Sequence, residues 1–118
     1  MILTDTSVWV DHLRRGNSRL ASLLRDELIL IHPFVLGELA CGNLRNRQEI
    51  LRLLSTLPQA RIADHDEALH LLEAQRLYGQ GLGWIDVHLL ASALLTGCGL
   101  WTLDTPLARA ASALKLSA

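Results

Sequence analysis

The sequence predicts an α/β fold, namely an α/β/α sandwich with a mostly parallel central sheet. Short apolar runs typical of strands alternate along the chain with longer segments of helical periodicity. Strands that alternate with helices are the pattern of a sheet covered by helices. The chain contains no linker, repeat or low-complexity tract, so residues 1–118 are predicted to form a single domain.

Strands are predicted where a short stretch consists mainly of apolar residues. These runs lie at residues 1–4, 28–31, 60–63 and 100–103. The second run ends just before Pro33, which has no backbone N–H to donate to a strand ladder.

Helices are predicted where apolar residues recur with a period near 3.6 between capping residues and helix breakers. They are expected at residues 7–15, 19–27, 34–42 and 47–57, from Asp64 or Asp66 to Tyr78, at 86–96, and after Asp104. Asn17 and Ser18 are the expected cap of the second helix, whereas Gly42 and Pro58 end the third and fourth.

The charge balance excludes a strongly basic chain that nucleic acid would attract from a distance. The net charge is −1, but the basic residues are ten Arg and one Lys, and Arg suits bidentate binding of phosphate or carboxylate. Two groups stand out, at Arg14, Arg15, Arg19 and Arg25 and at Arg45, Arg47 and Arg52. A solvated surface is the favoured interpretation, and a rim that binds phosphate or an acidic partner is the alternative.

The cysteines and the hydropathy bear on the compartment. Cys41 and Cys98 lie far apart in apolar settings without a Cys-x-x-Cys pair, so both are expected to be small buried residues of a reducing compartment. No apolar run reaches the ~18 residues of a membrane span, and the first residues do not resemble a signal peptide. The expected location is the cytoplasm, without membrane attachment.

Four of the twelve acidic residues stand apart because each lies in an apolar frame. Asp5 follows the first predicted strand and Asp104 the last, whereas Glu38 and Asp86 lie on helices that are apolar nearly all round. In an open α/β sheet, ligands bind beyond the carboxyl ends of the strands. The four side chains are therefore predicted to meet there.

Carboxylates that meet need a counter-charge. A pair ~4 Å apart repels by about 4 kcal/mol at an effective dielectric constant near 20. The only lysine is Lys115, so a hard divalent cation is the expected counter-charge. Carboxylate oxygens together with water suit Mg²⁺ or Mn²⁺.

Each acid also has a simpler interpretation, except one. Asp5, Asp86 and Asp104, taken singly, are explained as helix N-caps, a role worth about 1 kcal/mol. Glu38 lies in mid-helix and is the only charged side chain between His32 and Asn43. Because its predicted helix has no polar face, Glu38 is expected to need a cation, a metal ion or an edge open to water.

Four stretches resemble the PIN-domain nucleases, and among them the VapC-type toxins of toxin–antitoxin pairs. Residues 1–14 are similar to the start of these toxins, and residues 37–39, Gly-Glu-Leu, are similar to the helix that carries their second acid. Residues 81–93 resemble the third-acid motif and residues 100–104 the fourth. The stretches occur in the family's order, and the resemblance covers nearly the whole chain.

The resemblance implies a Mg²⁺-dependent endoribonuclease, with Mn²⁺ as a second suitable ion. It assigns both catalysis and metal binding to one acidic cluster, formed by Asp5, Glu38, Asp86 and Asp104. Hydroxyl groups at neighbouring positions would orient the carboxylates or water, namely those of Thr6, Ser7 and Thr102. Some relatives carry a further acid directly after the fourth, but Thr105 follows Asp104 here, so a second metal ion lacks that ligand.

The resemblance also implies three partners. These are an RNA substrate, a small cognate antitoxin and a second copy of the chain in a homodimer. An antitoxin Arg placed among the carboxylates would inhibit by competing with the metal ion.

Other interpretations explain less of the sequence. A haloacid-dehalogenase-like phosphatase needs an Asp where Ser7 stands, and the five histidines lack the His-x-x-x-His spacing of a zinc site. Core packing is favoured over base stacking for the tryptophans beside the acidic motifs, Trp9, Trp84 and Trp101. Two alternatives stay open: a PIN-like interaction module that does not cut RNA, and a structure-specific DNA nuclease.

Overall fold

The computed structural model describes all 118 residues, and the α/β fold class is confirmed. Three strands and seven helices occur in the order β1 Ile2–Thr4, α1 Thr6–Arg15, α2 Ser18–Arg25, β2 Ile29–Leu30, α3 Pro33–Cys41, α4 Arg47–Ser55, α5 His65–Ala74, α6 Trp84–Thr96, β3 Gly99–Trp101 and α7 Thr105–Ala113. No helix combines the length and the apolar character that a membrane crossing requires.

The three strands form one parallel sheet with β1 in the centre, in the order β2-β1-β3. Leu3 pairs with Leu30 on one side and with Leu100 on the other. Because all three strands run in the same direction, their carboxyl ends lie at one edge. That edge is followed in sequence by Asp5 after β1 and by Thr102 after β3.

Helices cover the sheet and supply most of the core. Helix α3 packs against α1 and α4, α5 packs against α6, and α6 also contacts β3. The segment from Val87 to Ala93 of α6 is buried without interruption, which explains why its apolar residues show no single face. The largest core cluster joins 21 buried residues, among them Leu3, Leu89 and Leu100 with no more than 2% exposure.

The predicted strand at residues 60–63 is wrong. Only Gln59 makes an isolated bridge, to Ile31, and the residues after it run as irregular chain. Ala60 N still donates to Ile31 O at 3.0 Å, but two of the following N–H groups are satisfied by side chains of α6: Arg61 N donates to Thr96 Oγ1 at 2.8 Å and Ala63 N to Ser92 Oγ at 3.3 Å. Hydroxyl groups of α6 therefore take the place of the neighbouring strand that this backbone would otherwise need.

The helix predicted to run to Tyr78 ends at Ala74. Arg76 adopts the left-handed conformation with a φ of 52°, which stops the helix. The turn places Leu77 in the core with 4% exposure. At the other end Asp64 is the cap, and it forms a reciprocal capping box with Glu67.

Helix α3 has one face open to solvent. Phe34, Gly37, Glu38 and Cys41 are exposed along it, whereas Val35 and Leu39 are buried on the other side. The expectation that both cysteines are buried is therefore wrong for Cys41, because its position falls on this outward face, and Cys98 is only partly buried. Both cysteines are free thiols.

His32 begins α3 as a buried cap. Its Nδ1 accepts a hydrogen bond from Phe34 N at 3.0 Å, and the side chain has no exposure to solvent. The cap requires an unprotonated Nδ1, and Nε2 is buried without a partner. Burial, followed by the charge of His88, lowers the pKa of His32 from 6.5 to about 4.

This cap predicts acid sensitivity. The unfolded chain protonates His32 near pH 6.5 and the folded chain only near pH 4, so acidification through that window favours unfolding, by at most about 3 kcal/mol. His32→Asn keeps a cap acceptor that does not titrate, and we expect it to flatten the dependence of the unfolding free energy on pH in urea titrations. An unchanged slope in His32→Asn would assign the acid sensitivity to other groups.

Candidate active site

Asp5 is the buried centre of the site. It directly follows β1, caps α1 and is only 6% exposed. Its backbone N donates to Trp101 O at 2.9 Å, which extends the pairing of β1 with β3 beyond the last residue of β1. Its Oδ2 accepts from Thr102 Oγ1 at 2.7 Å, from Ser7 Oγ at 2.8 Å and from Ser7 N at 3.4 Å.

Two hydroxyl groups link Asp5 to the segment that carries Asp104. Both donate their proton to Oδ2 of Asp5, so both hydroxyl oxygens are left to accept from backbone N–H groups. Ser7 Oγ accepts from Leu103 N at 2.9 Å, and Thr102 Oγ1 accepts from Asp104 N at 3.0 Å. The carboxyl ends of β1 and β3 are thereby tied together through the hydroxyls that the resemblance singles out.

Asp104 is the N-cap of α7, as its position after the last strand predicts. Its Oδ2 accepts from Leu107 N at 3.1 Å, and the residue is exposed. The cap interpretation is therefore correct for Asp104. It does not exclude a second role, because the other carboxylate oxygen takes no part in the cap.

Glu38 satisfies its charge at an edge open to water, which is one of the three solutions that its apolar surroundings allow. It lies on the exposed face of α3, and Thr6 Oγ1 donates to its Oε1 at 2.7 Å. Glu38 reaches water because α3 has an outward face made of small and aromatic residues. The bond to Thr6 positions Glu38 next to the start of α1.

Asp86 is the third residue of α6 and is not the N-cap, which is Gly83. Its Oδ2 accepts from Gly83 N at 2.9 Å. Burial raises the pKa of Asp86, and the negative charges of Asp5, Asp104 and Glu38 raise it further. The charges of the three other predicted acids therefore act on Asp86, although the four residues come from separate segments.

The four carboxylates share one pattern of hydrogen bonds. Each has one oxygen that accepts from a protein donor, namely Oδ2 of Asp5, Asp86 and Asp104 and Oε1 of Glu38. None of the four has a cationic partner, because the two ion pairs of the molecule join Arg15 to Asp11 and Arg52 to Glu49. The second oxygens are therefore left to interact with a ligand.

The donor set fits a hard divalent cation by its chemistry. Carboxylate oxygens with water are the ligands of Mg²⁺ and Mn²⁺, and uncompensated negative charge is what such an ion neutralises. As the side chains lie, however, no three His, Cys, Asp or Glu residues are close enough to hold an ion together. The fit therefore requires waters between ion and protein or a small inward movement of exposed side chains.

The tryptophans divide into two kinds. Trp9 and Trp101 are buried, at 2% and 8% exposure, as the packing interpretation predicts, and Arg19 lies over the Trp101 ring. Trp84 is 39% exposed, and its ring lies edge-on to that of His88.

Phe34, which the sequence analysis did not single out, is 37% exposed and contacts the same imidazole of His88. The sequence signal for Phe34 was its position four residues before Glu38, because residues at that spacing lie on the same face of a helix.

Comparison with known proteins identifies the family. A sequence model described as PIN domain matches residues 2–113. The chain belongs to the PIN domain family. Two proteins named Ribonuclease VapC32, from Mycobacterium tuberculosis strains CDC 1551 / Oshkosh and ATCC 25618 / H37Rv, are each 49% identical to it over 105 residues, which cover 88% of this chain and 85% of the relative. This PIN-domain chain is therefore of the VapC type.

The negative charges around Asp86 predict that its carboxylate lowers the free energy of unfolding. Asp86→Asn keeps an oxygen that accepts from Gly83 N and removes the repulsion and the burial of a charge, so we expect a higher unfolding free energy at pH 7 without divalent ions. The gain is expected to be about 1 kcal/mol or less, because the site is partly screened by water. Urea unfolding in EDTA measures it, with Asp66→Asn on the exposed surface of α5 as the control that shows no gain. A loss of stability would mean that a favourable contact already compensates Asp86.

Proposed function

We propose that this PIN-domain chain is a metal-dependent endoribonuclease that acts as the toxin of a toxin–antitoxin pair, with Mg²⁺ or Mn²⁺ as its ion. The observation that carries the proposal is the hydrogen-bonded network at the carboxyl edge of the sheet, in which Ser7 and Thr102 tie the buried Asp5 to the segment of Asp104 and none of the four acids is paired with a cation. The relatives named Ribonuclease VapC32 support RNA as the substrate.

Asp5, Glu38, Asp86 and Asp104 would hold the ion. A divalent cation bound there would lower the pKa of a bound water and would screen the charge of the phosphodiester and its leaving oxygen. Asp5 is the best-positioned ligand, because three hydrogen bonds to Oδ2 fix the direction of its other oxygen. Ser7 and Thr102 are positioning residues in this scheme, and comparable outer partners are worth about 10- to 100-fold in metal affinity or activity.

Two of the other acids are free to approach a bound ion. Glu38 and Asp104 are exposed, so they are able to move toward a bound ion while Asp5 stays in place. A carboxylate of the cluster accepts the proton of the attacking water. The position after Asp104 is Thr105, so the chain offers no additional acid there for a second ion.

A groove beside Glu38 supports the antitoxin as a partner. It has a volume of about 570 Å³, lies between α1, α3 and α4, and has an apolar floor that includes Val10, Leu13 and Leu39. Arg14 and Arg45 also line it, and Glu38 lies at its side. An apolar antitoxin segment seated in this groove would bring a basic side chain to the carboxylates. A homodimer is proposed on the family resemblance alone.

The main competing function is a PIN-like module that binds the antitoxin without cutting RNA. The presence of all four acids, each held by a specific hydrogen bond, favours the enzyme. A DNA nuclease would use the same ions, and cleavage of matched RNA and DNA strands separates the two substrates.

We expect purified protein to cut a mixed RNA pool in Mg²⁺ or Mn²⁺ and to lose this activity in EDTA. Asp5→Asn removes the central negative charge but keeps acceptor and shape, so cleavage should fall by at least about 100-fold because metal and water lose their main anchor. Sequencing of the cut ends over a time course gives both the site and the rate of cleavage.

The matched control is Asp66→Asn, which removes an exposed acid on α5 and should cut at the wild-type rate. Circular dichroism verifies that each variant is folded. Metal-independent cutting, or equal cutting by Asp5→Asn, would contradict the proposed site. No cutting in any metal ion by folded, antitoxin-free protein would favour the interaction module.

A further inference from the structure

Five aromatic side chains form a continuous series beside the acidic cluster. Ring centroids lie 5.0 Å apart from His32 to Phe34, 4.9 Å from Phe34 to His88, 4.8 Å from His88 to Trp84 and 5.2 Å from Trp84 to His65. The series crosses from the start of α3 over α6 to the start of α5. The two contacts of His88 are edge-to-face, an arrangement that is favourable because the positive edge of one ring meets the negative face of the next, and the two outer contacts are tilted.

The series holds its two solvent-facing rings in place. His88 is 4% exposed, and Phe34 and Trp84 contact its ring at interplanar angles of 66° and 87°. Phe34 and Trp84 themselves retain 37% and 39% exposure. Core packing accounts for Trp9 and Trp101 but leaves these two partly exposed rings unexplained.

Both rings are placed next to a carboxylate of the proposed active site. Phe34 lies one helical turn before Glu38 on the exposed face of α3. Trp84 is the first residue of α6, and Asp86 in the same first turn folds its carboxylate back to the N–H of Gly83, the residue directly before Trp84. A chain bound with its phosphate at the carboxylates therefore has these rings within reach of an adjacent nucleotide.

The low net charge of the protein favours a contact that does not depend on charge. The protein carries a net charge of −1, so long-range attraction contributes little to RNA binding even where a divalent cation neutralises the carboxylates. Stacking of a base on an aromatic ring needs no opposite charge and tolerates every base. It requires an unpaired base that leaves the helix, because both faces of a base inside a regular duplex are covered by its neighbours in the stack.

We infer that Trp84 and Phe34 form a stacking platform for an unpaired nucleobase next to the scissile phosphate, a conclusion that rests on the proposed function. The platform selects single-stranded or looped RNA over regular duplex. His88 is a positioning residue that orients both rings and does not contact RNA.

The test is an abasic scan of binding. A short single-stranded RNA of mixed sequence is prepared as a series in which each nucleotide in turn lacks its base. Affinity for the Asp104→Asn protein, which retains Asp5 as the anchor of the ion, is measured by fluorescence anisotropy in Mg²⁺, and a gel verifies that the RNA stays intact. We expect a single position or two adjacent positions at which loss of the base weakens binding by about 5- to 150-fold, the range for one stacked base.

The same scan with Trp84→Leu added separates stacking from structure. Trp84→Leu should weaken binding of the intact RNA by a similar factor and abolish the effect of the missing base at that position. Trp84→Phe should restore most of the affinity, Phe34→Leu should give a smaller loss, and Tyr78→Leu, which changes an exposed ring outside the series, should change nothing. If every abasic RNA loses the same affinity with and without Trp84, the platform is refuted.

The scan covers every nucleotide and does not require that RNA be cut, so the two proposals fail separately. RNA cleavage by the wild type without an effect of Trp84 in the scan keeps the nuclease and overturns the platform. Coupling between Trp84 and one base, in a protein that never cuts, keeps the platform and overturns the nuclease.

Discussion

Concentrated negative charge at one edge of a parallel sheet is the constraint on which the functional part of this structure depends. Parallel strands bring their carboxyl ends together, so the residues after β1 and β3 are neighbours although they are far apart in sequence. Asp5 is placed there with almost no access to solvent. The hydroxyls, caps and exposed faces around it serve to keep acidic side chains near one another despite their mutual repulsion.

Hydrogen bonds to one oxygen of each carboxylate offset part of this repulsion. One oxygen of every acid accepts a hydrogen bond from its own segment or from a neighbouring one, which offsets part of the cost of burying charge. The buried member has three such bonds, whereas Asp104 at the exposed edge has a single cap bond. The raised pKa of Asp86 indicates that holding these charges together costs some stability locally.

The sequence predicts the sheet edge well because strand ends and caps are local features. Asp5 and Asp104 are found from the apolar run that precedes each of them, Glu38 and Asp86 from the apolar helices that carry them, and the family resemblance points to the same four residues. The exposure of Glu38 was not predictable, since it depends on which side of α3 meets the neighbouring helices. For the same reason, the failure at residues 60–63 arises because Ser92 and Thr96 of a distant helix satisfy that backbone. The contacts of Phe34 and Trp84 through His88 likewise exist only after α3 and α6 have packed.

The central claim is that the carboxylates around Asp5 exist to bind a divalent cation. Crystals soaked in Mn²⁺ test it most directly, because anomalous scattering locates the ion independently of activity. The account predicts a peak at bonding distance, about 2.2 Å, from the free oxygen of Asp5, with Asp86, Asp104 or Glu38 as a further direct or water-bridged ligand. Absence of a peak at saturating Mn²⁺, or a peak only at other acids such as Asp64 and Glu67, would contradict it.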